Sequence, residues 1–189
     1  MKAETQTRAN DINGINLEAL GNLVGEIKND PAKGFVRFKV ASSWTGQTQS
    51  ETHIQSYFMN GEEIYRGFTV KSDEPKELLG QNSAPNPQEL LMAAFNACIT
   101  VGYVATASVM GVELEAVEIE TEGELDLRGF LGLDANVKPG YDSIAYTVRM
   151  KGTGSADQFR AIHENVLKTS PNYFNISKPI AVNAKLVIG

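Results

Sequence analysis

The chain has 189 residues, 42% of them hydrophobic and 21% charged, with a net charge of −6 and a pI near 5.0. That length buries one substantial core, or at most two small ones, without staples, while the acidity argues against the basic face that nucleic acid or an anionic membrane demands. A single cysteine, Cys98, excludes an intramolecular disulfide framework and gives no metal-binding spacing.

The start, MKAETQTRAN, has no apolar core behind its basic residue. No secretory signal is expected there, and the expected compartment is the reducing cytoplasm. Leu17, Leu20, Val24 and Ile27 recur at helical spacing before Asn29-Asp30-Pro31, which predicts an amphipathic N-terminal helix. Strands follow at Phe35 to Ser42, His53 to Met59 and Ile64 to Lys71. The last two flank Asn60-Gly61, whose tolerance of positive φ marks a type I′ hairpin.

A loop rich in turn formers, SDEPKELLGQNSAPNP, leads to an uncharged run from Leu90 to Met110. Asn86, Pro87 and Glu89 form a capping-box-like helix start. The run is long enough to span a membrane. Its content of Ala, Gly, Asn, Thr and Ser and its lack of a basic flank favour a core helix instead. Apolar on all sides, the helix must be covered on all sides, and a second subunit is expected to help, because one short chain has little else to cover it with.

From Val117 to Leu127 the alternation is strict, with Val117, Ile119, Thr121, Leu125 and Leu127 opposite a row of acidic residues. This predicts a half-exposed strand with a solvated charged face. A long connection, RGFLGLDANVKPGYD, precedes a second alternating strand at Ile144 to Met150. Ser155 to Gln158 is a second capping box, opening a helix with Phe159, Ile162, His163, Val166 and Leu167 on one face. Pro171 stops that helix, and Ile180 to Ile188 alternates as a closing strand. The order α-β-β-β-α-β-β-α-β predicts an α+β fold. It is read as one domain over 1–189, with a helical extension (1–31), an N-terminal sheet (35–71) and a helix-β-β-helix-β part (86–189).

Cys98 carries the chemical question. A thiol on a core helix is either inert packing or a nucleophile, and the thiolate is the reactive form. His53 and His163 lie on different elements and form no metal pair, so neither a metal nor a cofactor is expected. His163 is either a structural histidine or a hydrogen-bonding group near the thiol. Ser170 has no hydrolase-type G-x-S-x-G context. Trp44 and Tyr141 border loops, where an aromatic ring either packs or lines a pocket.

The run APNPQELLMAAFNAC, in which Cys98 follows a P-x-E-L-L helix start, resembles the signature of the OsmC/Ohr family, the osmotically induced and organic-hydroperoxide-resistance proteins. SDEPKELLGQN, LRGFLGLDANVKPGY and TSPNYFNISKPIAV resemble one OsmC-like branch in the same order. The resemblance implies antiparallel sheets around a central buried helix, in an intertwined homodimer. It also implies a peroxidatic cysteine at Cys98, activated by an Arg and a Glu and resolved by a second cysteine. The resolving position matches Ser170, which cannot form that disulfide. The glutamate position matches Gln88, with Glu89 one residue later. Thr45-Gly46-Gln47 offers no arginine, leaving Arg37 and Arg66 as candidates. Two functions are therefore expected in the alternative. One is a thiol-based role against organic hydroperoxides, with an external thiol reductant. The other is a binding protein that holds a small hydrophobic or thiol ligand in the dimer pocket.

Overall fold

The computed structural model describes residues 11–189. Residues 1–10, which hold the start of the expected extension and the segment read as no secretory signal, lie outside the described residues. The chain divides into two compact units, Met1–Ala93 and Ala94–Gly189. The division falls inside the central helix.

The first unit opens with a small hairpin of β1 (Asp11–Ile12) and β2 (Ile15–Asn16). Asn13 and Gly14 supply the positive φ angles of its turn. Asn16 then caps α1 (Leu17–Asn29), its side chain accepting from the Ala19 N–H at 2.7 Å. A 3₁₀ turn at Pro31–Gly34 leads to β3 (Val36–Phe38) and β4 (Ala41–Gly46). The sequence reading had a single strand here. Both pieces pair with one edge of β5 (Gln49–Met59), while β6 (Glu62–Ser72) pairs with its other edge. The expected strand breaks because the registers Phe38↔Tyr57 and Ala41↔His53 leave an extra residue on β5. At the same level the β5–β6 ladder also shifts, between Ile54 and Ser56. The Asn60-Gly61 hairpin has positive φ at both residues, as a type I′ turn requires.

Helix α2 (Pro87–Val109) runs from the first unit into the second. By length and composition it is apolar enough to cross a membrane, yet a single stripe of it, Phe95, Ile99, Tyr103 and Ala107, with Ser108 beside it, is buried. Within one chain the cover is partial, and the other side is left to the expected second subunit: Val101 is 67% exposed and Val109 65%. The reason is geometric, since residues four apart share one helix face and the second unit offers that face alone a sheet to pack on.

That sheet is β7 (Leu114–Gly123) and β8 (Ile144–Gly152), antiparallel with Val117↔Met150, Ile119↔Val148 and Thr121↔Tyr146 in register. Its inner residues pack on a core of Phe95, Ile99, Tyr103, Ala107, Val112, Ile162 and Val166. Leu125 and Leu127, expected to continue the strand face, lie beyond its end. Asp126 caps a one-turn helix there, α3 (Leu127–Phe130). Helix α4 (Ala156–Thr169) begins with the Ser155–Gln158 capping box and contributes Ile162 and Val166. A Cβ at Gly102 would stand 3.3 Å from the Val166 methyl carbons, so glycine lets α2 and α4 approach closely. Pro171, expected to stop α4, also starts α5 (Pro171–Ser177). The closing strand expected over 180–188 does not form, and these residues are exposed and irregular. Alternation alone makes no strand; a ladder needs an edge to pair with, and this segment joins none among the described residues.

Candidate functional site

Cys98 is half-buried on α2, and its Sγ lies 3.5 Å from the Ser170 Oγ. Ser170 is 6% exposed and sits where α4 ends and α5 begins. Its Oγ accepts from the Tyr173 N–H at 3.3 Å, capping α5. Pro171 at the first helical position costs no hydrogen bond, because that N–H would be orphaned anyway. Asn172 Nδ2 donates to the Ala94 carbonyl at 2.9 Å, fastening α5 to α2 one turn before the thiol. The sequence Thr169-Ser170-Pro171 is therefore a helix corner that presents a hydroxyl to Cys98.

The other expected partners are engaged elsewhere. Glu89 closes a capping box: its Oε2 accepts from the Asn86 N–H, and Asn86 Oδ1 accepts from the Glu89 N–H, both at 2.8 Å. Gln88 precedes it in the same first turn of α2. Arg37 lies over the Phe58 ring at 4.9 Å, and Arg66 over the Phe68 ring at 4.8 Å, each held by an aromatic face of its own sheet. Among the described residues, no cationic side chain hydrogen-bonds to Cys98.

His163, weighed as a hydrogen-bonding group near the thiol, bonds through Nδ1 to the Tyr103 hydroxyl at 2.6 Å, with the two rings stacked. Burial, then the neighbouring Tyr146, push the Tyr103 phenol up, so it stays protonated, and the His163 tautomer sets which of the pair donates. Burial likewise raises Tyr146. His53 is exposed and meets Thr69 Oγ1 at 3.2 Å on the first unit's sheet. Trp44 is 77% exposed, with its indole N–H donating to the Gln47 carbonyl. Tyr141 lines a cavity with Phe95, Tyr146 and Tyr173. No group of three His, Cys, Asp or Glu among the described residues is placed to hold a metal ion.

Sequence reasoning missed Asp73, the one buried residue of the first unit among the described residues. Its carboxylate accepts from Thr48 Oγ1, Gln49 Nε2, Ser83 Oγ and the backbone N–H groups of Glu74, Gln81 and Ser83. The Thr48 hydroxyl above all, then Ser83 and Gln81, hold its pKa well below the usual carboxylate range. The only sequence signal is an acid in a turn-rich loop. Its donors come from two loops that only the folded chain brings together.

The family model for OsmC-like protein matches residues 80–185. The chain belongs to the OsmC-like family. No curated protein matches it. Among solved structures, it resembles an OsmC-like protein from Mycoplasma pneumoniae with a TM-score of 0.57 at 11% identity, over 75% of this chain and 87% of that one. It also resembles an OsmC-like protein from Vibrio cholerae with a TM-score of 0.52 at 12% identity, over 72% and 91% of the respective chains. At such identities the likeness is one of fold. It agrees with the antiparallel α+β architecture of this OsmC-like chain.

Proposed function

We propose that this OsmC-like protein is a thiol-based redox protein of stress defence that reduces organic hydroperoxides through Cys98. The observation that carries this reading is the Cys98–Ser170 pair, Sγ to Oγ at 3.5 Å, in a chain of this family. The Cys98 thiolate attacks the terminal peroxide oxygen. The O–O bond breaks, an alcohol leaves after protonation, and the sulfur becomes a sulfenic acid. Ser170 has no thiol to condense with it. An external thiol therefore takes over: a first thiol forms a mixed disulfide with loss of water, and a second releases Cys98 and the oxidised thiol. The uncovered face of α2 and the exposed apolar residues of the first unit's sheet, such as Phe38, Tyr65 and Phe68, support a homodimer as the working form.

The second reading is a binding protein with an inert thiol. It is favoured by the lack of a cation bonded to Cys98 among the described residues, since a nearby positive charge is what favours the thiolate. The test is mass spectrometry after treatment with cumene hydroperoxide and dimedone. The redox reading expects the dimedone adduct on Cys98 and its loss when excess dithiothreitol is added first. An unmodified Cys98, under conditions that oxidise exposed methionines, establishes the binding reading instead.

A further inference from the structure

The second unit contains a cavity of about 460 Å³ whose walls combine two kinds of group. Phe95, Tyr141, Tyr146 and Tyr173 supply four aromatic rings, and Asp142 supplies a carboxylate. The volume is in the range of small-molecule sites. Phe95 and Tyr146 stand edge to face, with centroids 5.2 Å apart and an interplanar angle of 77°. No Lys, Arg or His lines the cavity. Lys138 reaches Asp142 at 2.5 Å, but both side chains are largely exposed. Such surface pairs contribute little, and a competing cation can displace the lysine.

This combination selects among ligands. An aromatic face carries negative electrostatic potential and attracts a cation. An anion would meet the Asp142 carboxylate and is disfavoured. A purely apolar guest would leave the Asp142 carboxylate and the lining hydroxyls of Ser143 and Ser177 unused. A primary ammonium would bring its N–H donors to the serine hydroxyls and to Asp142, as the Lys138 ammonium already does, whereas a quaternary ammonium carries no N–H and offers its methyl groups to the rings. We propose that this aromatic cavity, with Asp142 at its wall, is a binding site for a small quaternary ammonium compound. It goes beyond both functional readings above, because occupancy requires no reaction at Cys98 and the guest is a cation.

The probes are choline chloride and its neutral isostere 3,3-dimethyl-1-butanol, titrated at matched ionic strength into the full chain and followed by NMR of the tyrosine ring signals. Choline is expected to bind with a Kd about tenfold lower than that of the isostere, within the range of one desolvated cation–aromatic contact. Asp142→Asn should weaken choline binding several-fold and leave the isostere unchanged. Lys138→Met should tighten choline binding, because the internal competitor is gone. Both positions are exposed, so folding is expected to persist, and thermal unfolding checks it. Cys98→Ser should bind choline as the parent does, which separates this site from the thiol reading. Equal affinity for the two probes, no response to Asp142→Asn, or no saturable shift with choline overturns the proposal. Ring signals that change with protein concentration but not with choline also overturn it, assigning the cavity to contact between copies.

Discussion

The two units of this chain reach order by different means. In the second, seven buried apolar residues from α2, α4 and the segment after α2 form a core against β7 and β8. In the first, no apolar side chain among the described residues is buried, and the one buried residue is the Asp73 carboxylate. The second unit is a conventional product of apolar burial, at roughly 1.5 to 3 kcal/mol for each large side chain removed from water. The first is a sheet whose strands pair with one another but whose Phe38, Tyr65 and Phe68 remain in solvent. Hydrogen bonds fix its shape without supplying a comparable driving force, since each exchanges for one with water and nets about 1 kcal/mol. The difference teaches that the first unit depends on something outside itself. In our reading that is a second copy of the chain.

The largest effect should come from the core. Ile99 is fully buried, and Ile99→Ala is expected to cost about 2 to 5 kcal/mol in urea unfolding, through lost transfer energy and the cavity left behind. Val101, on the same helix but 67% exposed, sharpens the comparison. If a second copy covers α2, Val101→Asp should dissociate the protein in sedimentation experiments and leave the helical signal of the second unit in place. If the variant sediments as the parent does, the outer face of α2 is open to solvent and the homodimer proposal fails.

A smaller, local effect is expected in the first unit. The depressed pKa of Asp73 means that its contribution to stability is complete above the unfolded carboxylate value of about 3.9. It is lost as pH falls from there through the lower folded value. Hydrogen exchange at Gln81 and Ser83, whose N–H groups bond to this carboxylate, should therefore accelerate on acidification before the core of the second unit opens. Asp73→Asn should produce that loosening already at neutral pH. An amide has one acceptor oxygen, and its nitrogen would confront the donors on the other side. Unchanged exchange in the variant would show that the loop is held by other contacts.

What the sequence disclosed divides along the same line. Signals confined to a few neighbouring residues were legible: the Asn60-Gly61 turn, the capping box of Ser155 and Gln158, and the start of α2 at Asn86. The helical and alternating patterns named the buried faces of α4 and β7, because those faces meet partners within the same unit. The closing strand was misread, since the alternation of Ile180 to Ile188 records a face but not the edge it needs. How far one chain covers α2 was not legible for a related reason: periodicity reports that residues are apolar, not which of them find a neighbour in the same chain. At the candidate site, the family motif brought Ser170 to mind beside Cys98, and the fold places their side chains together. Local pattern could not disclose that His163 is tied to Tyr103, because the two are sixty residues apart in sequence.

The smallest expected effect tests whether that tie belongs to the core or to the chemistry. Tyr103→Phe keeps the buried ring and removes the hydroxyl, leaving His163 Nδ1 without its partner, and should cost about 1 kcal/mol. A second consequence follows from the raised phenol pKa. A tyrosine that ionises later in the folded chain than in the unfolded one stabilises fully below the unfolded value of about 10. Its contribution declines as pH rises beyond that point, because the unfolded state releases its proton first. Urea unfolding at rising alkaline pH should therefore show a loss of stability that is shallower in Tyr103→Phe than in the parent. Cys98 oxidation by cumene hydroperoxide should be the same in both proteins, since the Ser170 hydroxyl and not His163 faces the thiol. If the variant instead loses Cys98 reactivity while its stability profile is unchanged, the tyrosine–histidine pair serves the thiol, and it no longer counts among the packing that sets the second unit apart from the first.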